Sequence, residues 1–155
     1  METKDLITLG LSIVGAITGV VALWRTIRKD QRQIRVQVVP SFYAYADGSL
    51  STQLASIEVV NDGQRTVTVK APSLRMRNGK HLSFIGAKGF KDFPKELKDG
   101  EKAAIDVRYR EIADALKSAG YKKGNVKVYP SCLDSTGQRY WGKAWKLNVD
   151  TEWNP

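Results

Sequence analysis

His81 and Cys132 are the single histidine and single cysteine of this 155-residue chain. A nucleophile with its base would have to be drawn from this pair. A cysteine nucleophile needs a base within hydrogen-bond reach and a third group to orient that base. Position suggests no third group here, and His81 stands beside a turn on an expected strand, the setting of a structural residue. A zinc site needs three or four Cys, His or carboxylate ligands, and no such cluster exists in the sequence. Asp92, Glu96, Asp99 and Glu101 lie near one another, but Lys91, Lys95, Lys98 and Lys102 alternate with them. That mixture reads as a solvated, mutually paired loop. Neither a GxxxxGK[ST] phosphate loop nor a dinucleotide fingerprint occurs. The chain therefore reads as non-enzymatic, without metal or cofactor. A membrane-tethered hydrolase is the least supported reading.

Binding has more material. Ile85-Gly-Ala-Lys-Gly-Phe90 holds a GxxG with Lys88 inside it and Lys91 just after it. KH domains clamp a nucleic-acid backbone with such a loop between two helices. Here the loop follows a strand, so the expectation is a basic loop whose backbone amides can meet an anion. Arg139-Tyr-Trp-Gly-Lys-Ala-Trp-Lys146 alternates bases and aromatics. In a regular strand Trp141 and Trp145 share a face with Leu147 and Val149, while Tyr140 and Lys146 face the other way. The two tryptophans are then either core or a stacking surface. Lys88, Lys91, Arg139, Trp141, Lys143 and Lys146 are the candidate residues for an anionic ligand.

Net charge supports that class of ligand. The chain carries +9, with five bases against one acid over Arg25–Arg35, and nineteen against thirteen from Val36 onwards. A basic domain favours lipid headgroups, nucleotides, nucleic acid or acidic proteins. Duplex DNA is not among the expected partners.

These residues must be positioned by elements, and the first element sets the setting for the rest. Leu6–Trp24 is a run without a charged side chain. As one helix it reaches about 28 Å, close to a hydrocarbon thickness of about 30 Å. A core helix would show a polar face, and a signal peptide would show a basic n-region and a small-x-small cleavage site. Thr8, Ser12 and Thr18 are the only polar side chains in the run, and METKD precedes it. A single-pass membrane helix is expected. Arg25, Arg28, Lys29, Arg32 and Arg35 follow it, and basic flanks stay in the cytoplasm. The expected placement is the inner membrane, with the N-terminus out and the C-terminal domain cytoplasmic. The five bases are the expected headgroup contacts. Ser12, Gly15, Ala16, Gly19 and Ala22 form a small-residue face with a GxxxG pattern, the usual surface for helix pairing in lipid. A homo-oligomer is expected through it. One cysteine fits a reducing compartment.

Three regions follow: 1–24, tail and membrane helix; 25–35, basic stalk; 36–155, folded domain. The last of these alternates. Ile34–Pro40, Ala55–Val60, Thr66–Lys70, Leu74–Arg77, His81–Ile85, Ala103–Tyr109, Asn125–Tyr129 and Arg139–Val149 read as short strands between turn signals. Asn78-Gly79 is the strongest hairpin signal. One short helix falls at Ile112, Ala113, Leu116 and Ala119, with Gly120 as its C′ residue. About seven strands and one crossover helix predict a mainly β domain, an immunoglobulin-like sandwich.

Ile57-Glu-Val-Val-Asn-Asp-Gly-Gln-Arg-Thr-Val-Thr-Val69 resembles the IxVxNxGxxxVxV pattern of CARDB-type immunoglobulin-like domains. Leu97-Lys-Asp-Gly-Glu101 is similar to their LxxGE turn. Asp134–Tyr140 resembles a DxxGxxY hairpin of small membrane-anchored prokaryotic and prophage proteins. The resemblance spans Val36–Val149 and implies a fold, not a chemistry. Two functions fit these features. One is a membrane-anchored binding module for a protein or an anionic ligand. The other is a membrane effector of an anti-phage or stress system, triggered by a nucleotide such as a cyclic oligonucleotide and acting by membrane disruption.

Overall fold

The computed structural model describes residues 3–29 and 32–150, with side chains described for 10–27 and 32–150. Helix α1 runs Thr3–Lys29. Every described side chain on it is exposed, Leu11, Val20 and Trp24 among them. Gly10–Ile27 is long and apolar enough to cross a membrane. Thr18 and Thr26 turn their hydroxyls back to the Val14 and Ala22 carbonyls, which satisfies both without water.

The rest is mainly β. Its elements are β1 (Ile34–Ser41), β2 (Leu54–Asn61), β3 (Val67–Val69), β4 (Ser73–Met76), β5 (His81–Leu82), β6 (Lys95–Leu97), β7 (Lys102–Arg108), α2 (Tyr109–Ser118), β8 (Asn125–Leu133), β9 (Arg139–Trp141) and β10 (Trp145–Asn148). Ten strands among the described residues replace the seven or so expected. Two causes account for much of the difference. The charged stretch Lys95–Leu97, read as a solvated loop, pairs with β3 because Leu97 needs burial and is fully buried. The last expected strand is divided in two at Gly142–Ala144.

One sheet has the order β1-β2-β7. A five-stranded sheet has the order β10-β8-β4-β5, with β9 also on β8, and β3 and β6 make a pair of their own. The two larger sheets share one core. Val36, Ile57, Val59, Ile105 and Val107 supply one side, and Leu74, Met76, Val126, Val128, Cys132 and Leu147 the other. Helix α2 adds Ile112 and Leu116, both fully buried. Its Tyr109 meets Trp145 edge-on at 5.4 Å, a favoured aromatic geometry. Gly120 ends it at φ 104°, as a C′ glycine should.

The three turn motifs read from the sequence are built from side-chain caps. Asn61 is fully buried; its amide donates to the Arg65 and Leu97 carbonyls and accepts from Gly63. Glu101 accepts from the Lys98 amide across a turn whose Gly100 has φ 73°. Asp134, also fully buried, accepts from the Thr136 and Gln138 amides, the Thr136 hydroxyl and the Tyr140 hydroxyl. At Asn61 and Asp134 the caps satisfy backbone polar groups that burial would otherwise leave unpaired.

Candidate functional site

The break in the last hairpin decides what faces outward. Trp141 opposes Ser131 and Trp145 opposes Val128. Four steps along one strand therefore match three along β8, so one residue is extra. That is a β-bulge, and it exchanges the faces beyond it. The expectation that Trp141 and Trp145 share a face is corrected. Trp145 packs on the core with Leu147, whereas Trp141 lies on the outer face, 46 % exposed. Tyr140 is corrected in the opposite sense: it sits across from buried Cys132 and reaches Asp134. Gly142 makes the bulge possible. A Cβ there would collide with the Val36 carbonyl, so only glycine lets β1 come so close.

The outer face of the five-stranded sheet follows from register. Arg75 lies between His81 and Tyr129; Ser131 lies between Ser73 and Trp141; Leu133 opposes Arg139; Lys127 opposes Lys146. Ser73 and Ser131 are small, and Ser131 is covered to 1 % exposure. Above this low floor the larger side chains converge. The guanidinium carbons of Arg75 and Arg139 sit 5.0 and 5.5 Å from the Trp141 ring centroid, within cation–π range. The His81 ring lies 6.3 Å from the same indole. Arg139 donates from Nη1 to Nε2 of His81 at 2.7 Å, while Nδ1 faces the Ser73 hydroxyl at 3.4 Å.

Electrostatics agree with that arrangement. Burial, then the charges of Arg139 and Arg75, hold the His81 pKa below its ordinary 6.5. A neutral imidazole with Nε2 free to accept is what Arg139 requires. Four cations, Arg75, Lys127, Arg139 and Lys146, occupy the face, and none of its described residues is a carboxylate. None of the ion pairs among the described residues involves them. Tyr129, 37 % exposed, stands beside Trp141 as a second open aromatic.

Of the residues singled out in the sequence, Arg139, Trp141 and Lys146 are on this face. Lys143 is exposed in the bulge. Lys88 is elsewhere: its backbone bridges to Asp106 on the edge of β7, and its Nζ stands 4.0 Å over the Tyr43 ring. Tyr43 donates to Asp106, and burial, then that carboxylate, pushes the phenol up to about 12. The GxxG loop is docked on the β7 edge, with Gly89 at φ 85° against the Ala104 carbonyl. Lys91 lies exposed in the short helical turn Phe90–Asp92 that follows. Arg75, Tyr129 and Lys127, which the sequence does not single out, and His81, which it reads as a structural residue, complete the face. Alternation within Asn125–Tyr129 marks Lys127 and Tyr129 as outward. Nothing local tells which strands lie beside them.

Cys132 and His81 cannot form a pair, because one faces the core and the other the outer surface. Burial, then Asp134, raises the thiol to about 12, far from a reactive thiolate. Among the described residues no three His, Cys, Asp or Glu side chains converge as a metal ion would need.

Of the five bases expected at lipid headgroups, Arg32 and Arg35 turn to the folded domain instead, and Arg35 is part of β1 itself rather than of a stalk. Arg32 donates to Asp134 at 3.2 Å and to the Thr136 hydroxyl at 3.1 Å. Arg35 pairs with Asp62 at 2.9 Å. Arg25 is exposed on α1, and the side chains of Arg28 and Lys29 lie outside the described residues. Ser12, Gly15, Ala16, Gly19 and Ala22 are all exposed along α1, and open space surrounds Gly15 and Gly19. The chain matches no protein-family model, and no curated protein is significantly similar to it.

Proposed function

We propose that this chain is a non-enzymatic, single-pass membrane-anchored binding module for an anionic ligand. The observation that carries the reading is the outer face of the five-stranded sheet. It carries four cations, two of them against an exposed tryptophan, and none of its described residues is a carboxylate. A surface charged only for solubility mixes both signs. Helix α1 crosses the inner membrane, N-terminus out, and holds the immunoglobulin-like domain at the cytoplasmic surface. Its length, its apolarity and the exposure of Gly10–Ile27 support this, as does the basic flank. The Gly15/Gly19 face serves self-association.

The test is polyanion binding by the full chain in neutral phosphatidylcholine nanodiscs. Sodium polyphosphate should bind at low salt and weaken steeply as salt rises. Arg75→Glu with Arg139→Glu should abolish binding. Equal binding by that double variant would end this reading.

One observation favours the effector reading as a second possibility. Arg32, just after the helix, holds the Asp134–Thr136 loop that leads directly into Arg139. Stalk and ligand face are therefore mechanically adjacent. A nucleotide second messenger bound at Arg139 would bear on the helix through that loop. Loss of membrane integrity on adding a cyclic dinucleotide to chain-bearing liposomes would support it.

A further inference from the structure

The outer sheet face carries more than charge. Its two exposed aromatics, Tyr129 and Trp141, stand on adjacent strands at diagonal positions, because Trp141 opposes Ser131. Diagonal neighbours on a sheet lie about 7–8 Å apart. That spacing suits successive bases of an extended strand, each laid on its own ring. The cations run along the same line. Lys127 and Lys146 lie at one end, Arg75 beside Tyr129, and Arg139 at the other end opposite Leu133. From residue 127 to residue 133 the face spans about 20 Å along β8. We propose that this face binds a short single-stranded nucleic-acid segment. Tyr129 and Trp141 stack on bases, and Arg75, Arg139, Lys127 and Lys146 meet phosphates.

Two physical features favour this ligand over a mononucleotide or a bare polyanion, and a third lowers the cost of binding. The residues are spread along strands on a sheet surface, whereas small ligands favour a concave pocket. Two aromatic platforms at about base spacing have no use for a polyanion without bases. The arginines are held in place: Arg139 by the neutral His81 acceptor, and both by the indole. Such preorganisation lowers the ordering cost of binding. The bulge at Gly142 is what lets Trp141 stand on this face while Trp145 packs in the core.

This inference rests on the anion-binding reading, and the experiment separates the two. Full chain in neutral nanodiscs is titrated against fluorescein-labelled oligo(U) and oligo(dT) of eight nucleotides. An eight-phosphate polyphosphate and uridine monophosphate serve as competitors. The expected result is tight oligonucleotide binding, with each competitor at least tenfold weaker. Trp141→Ala and Tyr129→Ala should each weaken the oligonucleotide by about tenfold and leave polyphosphate unchanged. Trp141→Phe, which keeps a ring, should retain most of the affinity and shows that the fold is intact. If polyphosphate competes as well as the oligonucleotide, or the alanine variants bind it normally, the nucleic-acid inference is overturned while anion binding stands. Uridine monophosphate binding as tightly as the eight-mer also overturns it. If neither polyphosphate nor oligonucleotide binds, both readings fail together.

Discussion

Asp134 and His81 show how much a single side chain decides here. Asp134 is fully buried, yet its carboxyl stays below the ordinary 3.8. Burial works to raise it, and hydrogen bonds from Thr136, Gln138 and Tyr140 outweigh that effect. Because the folded pKa is the lower one, the carboxylate stabilises the fold above about pH 4 and ceases to do so as acid titrates it. Asp134→Ala should cost about 3 kcal/mol, since several donors lose their acceptor at once; thermal melts at pH 7 measure this. Asp134→Ala should also flatten the loss of stability below pH 4. His81 runs from the other side. Its folded pKa is lowered, so below about pH 6.5 the unfolded chain takes up a proton that the folded chain resists, and stability falls with acid. As the one histidine, it gives one pair of imidazole resonances. Their NMR midpoint should lie below 6.5 and rise when Arg139→Ala removes a neighbouring charge.

At the scale of elements, the bulge between β9 and β10 divides inside from outside. Gly142→Ala sets a methyl group against the Val36 carbonyl and should cost about 1–3 kcal/mol of stability, read by thermal or chemical melting. Deleting Ala144 removes the extra residue and makes the register continuous. Trp141 and Trp145 would then compete for one face, and the melting temperature should fall further than in Gly142→Ala. Helix α1 exposes every one of its described side chains. Gly15→Leu and Gly19→Leu replace open surface with bulk and should reduce self-association in lipid, as read by energy transfer between labelled copies. Unchanged transfer would remove the helix face from the assembly.

The whole molecule couples a membrane-length helix to a domain that grips the helix's own exit. Arg32, which follows α1 closely, closes on Asp134, while Arg35 pairs with Asp62 from within β1. Arg32→Ala should leave oligonucleotide affinity within about twofold, because Arg32 closes on Asp134 and Thr136 and, among the described residues, makes no contact on the ligand face. It should instead loosen the spacing between stalk and domain, measured by spin labels on α1 and β8. A reporter joined after residue 150 should be active only in the cytoplasm. Activity on the far side of the membrane would reverse the orientation.

Short-range patterns were legible in the residues: an uncharged run long enough to span a bilayer, alternating strands, the α2 spacing closed by Gly120, and turns marked by Asn61, Gly100 and Asp134. Each depends on contacts a few residues apart, so composition and spacing suffice. The short pairing of Lys95–Leu97 was hidden, because its charges mask one buried leucine whose partner strand is thirty residues away. The candidate site was half legible. Arg139, Trp141 and Lys146 stood in one aromatic–basic stretch, but Arg75, His81 and Tyr129 come from strands that only non-local pairing brings beside it. The direction in which Trp141 points depends on one extra residue in register, which alternation along a single strand cannot show. The sequence by itself determined the kind of protein, an apolar helix on a basic β domain. Tertiary structure alone decided which cations and rings share a surface, because side-chain facing in a sheet is set by partners far away in the chain.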